Sequence, residues 1–213
     1  EFVRAGLDVG GAWNERDGVL IPGHRAADYA GGRIDRIDPS SGEVTTLYRE
    51  ADGRRLGAPN DLVFDATGNF WFTDFGSTSD RGRDHGAILY AAADGSSIRR
   101  VVDGLIGPNG IALSPDGRVL YVALTYERQV LSFDVREAGA LEPGEPLPGR
   151  VLCSLPDRNY LDSMRVEAGG NLCVGTLLAT GIRVISPAGG ILGLVDVPDL
   201  IPASLCFGGE DLR

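Results

Sequence analysis

The chain is 213 residues long and carries 20 Lys and Arg against 30 Asp and Glu, a formal net charge of −10. That balance argues against a nucleic-acid partner, since neutralising phosphates takes a basic face. It also contains no apolar run long enough to cross a membrane. With 31 Gly, 12 Pro and few helix-period apolar runs, residues 1–213 read as one all-β domain with room for a large core. The acidic surface suits a cationic ligand and equally serves solubility alone. No leader segment stands out, and a cytoplasmic location is expected. Cys153, Cys173 and Cys206 have no regular spacing and imply no disulfide framework. Cys173 and Cys206 lie in apolar strand patterns and read as small core residues.

In chain order, Gly10 to Gly32, with Trp13 and His24, reads as a long inter-strand loop. Residues 33–48 follow as a strand pair around the turn Asp38-Pro39-Ser40-Ser41-Gly42. Then comes a pattern that the chain repeats. Pro59-Asn60-Asp61-Leu62-Val63-Phe64 leads to a turn at Gly68 and the run Phe70-Trp71-Phe72-Thr73-Asp74. Pro108-Asn109-Gly110-Ile111-Ala112-Leu113 leads to Gly117 and Leu120-Tyr121-Val122. Leu161-Asp162-Ser163-Met164-Arg165-Val166 leads to Gly170 and Leu172-Cys173-Val174. After each copy a second strand pair is expected, over 87–90 and 98–102, 130–135 and 150–153, and 182–185 and 191–195. A charged loop, Thr78 to Gly86, interrupts the first full unit. A further copy begins at Pro202-Ala203-Ser204. Four antiparallel strands per unit, recurring at 49 and 53 residues (60 to 109, 109 to 162), are the signature of a β-propeller. About four blades are expected, the first and the trailing one incomplete, with the two long loops partly covering the mouth.

In each copy an Asn or Asp stands eight residues before the turn glycine: Asn60, Asn109 and Asp162, with Ser204 in the same register. In a propeller the innermost strands line the axis, so one register position places its side chains at one height. Converging amide and carboxylate oxygens make a hard-cation site, favouring calcium or magnesium over a thiolate or imidazole metal. A second reading also stands, in which each residue bonds its own turn backbone. Ser163 neighbours Asp162 as a further oxygen donor. Asp61 and Asp74 stand beside the same register as substrate-facing candidates, and Asp74 serves equally as a turn cap. Nucleophilic and phosphate-binding alternatives find no support, because neither a Gly-x-Ser-x-Gly elbow nor a phosphate loop occurs.

These three motifs, in order and correctly spaced, resemble the senescence marker protein/gluconolactonase/regucalcin family, which includes the drug-responsive lactonases. The likeness runs over roughly residues 31–213. It implies a six-bladed, lactonase-type propeller holding one divalent cation on its axis, calcium in the first place, with zinc, magnesium and manganese as alternatives. It further implies hydrolysis of a sugar-type or other small lactone. By motif, Asn109 and Asp162 match metal ligands, Asn60 matches the asparagine that reaches metal or substrate, and Asp162 matches the base. Two departures count: the family's metal-binding glutamate belongs to an earlier blade, and the arginine that some members place two residues before the first asparagine is Ala58 here. The chain is therefore expected to be part of a longer propeller, incomplete at both ends, and prone to self-association through open blade edges. A non-enzymatic calcium-binding or interaction propeller, another propeller esterase and a strictosidine-synthase-like enzyme are the alternatives.

Overall fold

The computed structural model describes residues 2–7, 31–38, 40–79, 82–144, 149–156 and 159–208, with residues 2–7, 78 and 79 as backbone only. Every regular element among them is a strand. The chain falls into two compact units, one of residues 1–64 and 68–107, the other of residues 65–67 and 108–213.

The first unit holds two sheets and two small hairpins. Strands β1 (Phe2–Leu7), β2 (Gly32–Ile37) and β3 (Val44–Tyr48) pair antiparallel in that order. β1 was not evident from the sequence, because a long irregular stretch separates it from its partner. The hairpin β4 (Glu50–Ala51) and β5 (Arg54–Arg55) leads into β6 (Pro59–Phe64) and β7 (Phe70–Asp74). The hairpin β8 (Thr78–Ser79) and β9 (Gly82–Arg83) occupies the charged loop. Then β10 (Gly86–Ala91) and β11 (Ile98–Leu105) complete a four-stranded antiparallel sheet in the order β6-β7-β10-β11. All five residues of β7 are buried, the apolar run Phe70-Trp71-Phe72 and the polar Thr73 and Asp74 alike. Ile34, Leu56, Phe70, Phe72 and Leu89 form the centre of this unit's core. The Tyr48 hydroxyl adds a tie across 44 residues to the carbonyl of Ala92, 2.6 Å away.

The second unit holds two larger sheets. Strands β12 (Pro108–Leu113), β13 (Val119–Leu124), β14 (Gln129–Glu137) and β16 (Arg150–Ser154) pair in order, with β15 (Ala140–Leu141) folded back on β14. Strands β17 (Tyr160–Val166), β18 (Leu172–Leu177), β19 (Gly181–Ile185) and β20 (Ile191–Asp196) form the next sheet. Tyr121, Val130, Leu161, Met164, Leu172 and Val174 make the core. The expected strand pairs thus form. The turn glycines Gly68, Gly117 and Gly170 all have positive φ, at 83°, 70° and 92°, a conformation that only glycine adopts without cost. Cys206 departs from its core reading: it is exposed, on a segment that forms no strand, whereas Cys153 and Cys173 are buried. Most of the expected loop from Gly10 to Gly32, Trp13 and His24 included, lies outside the described residues, as does the end of the trailing copy at 209–213.

Candidate functional site

The three register residues share a backbone feature that the sequence does not announce. On β6, Pro59 faces Asp74 and Leu62 faces Phe72, so three steps on β6 match two on β7. The same offset recurs on β12, where Pro108 faces Leu124 and Ile111 faces Val122. It recurs again on β17, where Leu161 faces Thr176 and Met164 faces Val174. Asn60, Asn109 and Asp162 are each the first residue inside an equivalent β-bulge. A bulge turns a side chain away from simple alternation, and bulges gather beside functional sites.

In the second unit the bulges of β12 and β17 abut. A Cβ at Gly110 would lie 2.5 Å from the Asp162 carbonyl oxygen and 2.6 Å from the Met164 nitrogen, so only glycine permits this approach. Asn109 is buried, and its Nδ2 donates to Thr125 Oγ1 at 3.1 Å. Thr125, also buried, donates to the Leu161 carbonyl at 2.7 Å. A hydroxyl has one proton, and the Leu161 carbonyl can only accept. Thr125 must therefore accept from Asn109, which fixes the amide's orientation and turns Oδ1 away from Thr125. Asp162 is 9% exposed, and its Oδ1 accepts the Ser163 N–H at 2.9 Å. Ser163 N also lies 3.3 Å from the Ala203 carbonyl, so the main chain of this candidate ligand braces Asp162. Ser204, next in register, is exposed.

In the first unit Asn60 is half-buried and Asp61 buried. Asp61 Oδ1 accepts the Leu62 N–H at 2.9 Å, and the Asp61 N–H meets Thr73 Oγ1 at 3.2 Å. Asp74 is buried against backbone donors. Its oxygens accept from Gly57 N at 2.8 Å, Ala58 N at 2.6 Å and Gly76 N at 3.2 Å, with Arg100 Nη2 3.5 Å away. The carboxylate therefore stitches two loops together. It also lines an open cavity of about 440 Å³ shared with Arg54, Arg55, Asp84, His85 and Arg100. Asp84 there accepts the Ser77 hydroxyl.

Among the described residues no three His, Cys, Asp or Glu side chains gather to hold a metal. The donors on the bulges are one carboxylate and neutral amide oxygens, a set whose hardness fits calcium or magnesium. Thr125 escaped the sequence reading because its equivalents in the other copies, Phe75 and Leu177 by strand register, break the repeat.

The chain has relatives among known proteins. The model of the SMP-30/gluconolactonase/LRE-like region matches residues 8–213. The chain is 29% identical over 198 residues to a gluconolactonase of Zymomonas mobilis, covering 86% of this chain and 54% of the relative. It is 29% identical over 139 residues to lactonase drp35 of Staphylococcus saprophyticus, covering 65% of this chain and 42% of that one. The chain thus spans about half the length of the curated relatives it matches. A gluconolactonase structure from Xanthomonas campestris superposes with a TM-score of 0.64 at 33% identity, over 78% of this chain and 55% of that one. The calcium-binding protein regucalcin of Agrobacterium tumefaciens shares the fold, with a TM-score of 0.68 at 18% identity, over 85% and 59% of the two chains.

Proposed function

Because the chain belongs to the SMP-30/gluconolactonase/LRE-like family, we propose that it serves a cation-assisted lactonase whose substrate is a sugar-type or other small lactone. Its four-stranded sheets are then blades of a six-bladed propeller and its bulged strands the inner ones. The observation that carries this reading is the pair of abutting bulges that hold Asn109 and Asp162 on neighbouring strands. Asn109 and Asp162 would hold a divalent cation, calcium by donor chemistry, with Ser163 as a further oxygen beside them; Asn60 occupies the matching position on its own bulge in the first unit. Such an ion supplies Lewis-acid polarisation of the lactone carbonyl.

The chain's own residues perform the rest. The Asp162 carboxylate takes a proton from water as the water oxygen attacks the carbonyl carbon. The ring C–O bond then breaks and the departing alkoxide takes up a proton, which leaves a hydroxy acid. The Ser163 N–H at Asp162 Oδ1 fixes the rotamer of the base, and amide groups of the bulges would steady developing negative charge. Asn60 and Asp61 would meet the substrate; Asp74, bound to three backbone N–H groups, would contribute by shaping the loop between them. A cytoplasmic site of action is consistent with this chemistry.

The test is turnover of gluconolactone and of simple aliphatic lactones, followed by acid release. Asp162→Asn keeps the shape and removes the base, and should lower kcat by about 10²–10⁴-fold. Chelation should abolish turnover and added calcium restore it, while Asn60→Ala, which removes a neutral donor, should be milder. Undiminished turnover by Asp162→Asn would sink the assignment.

A further inference from the structure

We infer that Thr125 is a positioning residue for the cation site: it holds the Asn109 carboxamide with its oxygen presented as a ligand and ties that amide to the strand that carries Asp162. The inference rests on reading Asn109 and Asp162 as oxygen donors to a cation. It follows from two hydrogen bonds whose direction leaves no freedom. Thr125 Oγ1 gives its proton to the Leu161 carbonyl at 2.7 Å and accepts the Asn109 amide at 3.1 Å. Leu161 immediately precedes Asp162, so one buried hydroxyl touches the amide on β12 and the peptide that enters the bulge of β17. All three partners are buried: Asn109 is 1% exposed, Thr125 5% and Leu161 0%.

An asparagine has two faces of similar shape, and only one offers oxygen. Without Thr125 nothing in this pair of contacts distinguishes them, and a flipped amide would present N–H₂ to a cation. The groups that orient a metal ligand typically govern affinity by about 10–100-fold. Thr125 needs no contact with substrate to act in this way.

The experiment titrates calcium, and terbium by its luminescence, into the wild-type protein and into Thr125→Val, Thr125→Ser and Thr125→Cys. Thr125→Val preserves size and deletes the hydroxyl; it should bind calcium about 10–100-fold more weakly. Thr125→Ser keeps the hydroxyl and should stay within about threefold of wild type. If the valine variant does not fold, Thr125→Cys takes its place, since a thiol is a poor donor and acceptor, and should show the same loss. A purely structural role would lower the melting temperature without separating serine from valine or cysteine in affinity. Valine (or cysteine) binding as tightly as wild type overturns the role of Thr125 and leaves the cation site standing. Wild type binding neither ion overturns both.

Discussion

Asp74 illustrates how a carboxylate beside a candidate site is held by the fold itself. Its two oxygens serve three backbone N–H groups, and it is 2% exposed. Replacing it with Asn turns one acceptor into a donor that faces peptide N–H groups. Leaving such buried donors unsatisfied costs about 1–3 kcal/mol each at most sites. We expect Asp74→Asn to lower the denaturation midpoint measurably, with KM for a lactone rising only alongside that loss. A raised KM at unaltered stability would instead put Asp74 on the substrate. Cysteine reactivity divides along similar lines. Burial pushes the Cys153 and Cys173 thiols up, disfavouring the reactive thiolate, whereas Cys206 is exposed. A disulfide-exchange reagent at neutral pH should therefore titrate Cys206 quickly and the other two only on unfolding. Three thiols reacting at one rate would contradict the packing of β16 and β18.

At the level of elements, Gly110 lets two bulged strands meet. A methyl group there would need to displace the Asp162 carbonyl and the Met164 nitrogen, which approach within 2.5 and 2.6 Å of it. Backbone atoms yield poorly, and overpacking of this kind costs about 1–3 kcal/mol. Gly110→Ala should lower stability by about that much and weaken calcium binding with it, because both bulges shift. Full stability by chemical denaturation would show that the strands separate freely. The eight-residue offset between polar residue and turn glycine made the register of Asn60, Asn109 and Asp162 legible, since turn geometry writes glycine into the sequence at positive φ. The bulges were not legible. Their extra residue is defined by what lies opposite on β7, β13 and β18, and pairing leaves no local mark on the chain. Gly110 was their one trace, and it reads like any turn glycine. Asp61 and Ser163, at the same place in the other copies, hide it.

At the level of the molecule, two compact units each carry their own apolar centre, built from strands of neighbouring sheets. The edge strand β20 leaves Ile191, Leu192 and Val195 about half exposed, at 45%, 59% and 55%. The repeated bulge has a consequence for how such a protein diversifies. The same main-chain pairing offset recurs in all three copies, so one backbone geometry accepts either Asn or Asp at its first position. Asn, Asn and Asp already occupy three copies of one socket. Charge can thus differ from one copy to the next, neutral at Asn60 and Asn109 and negative at Asp162, on one constant backbone frame.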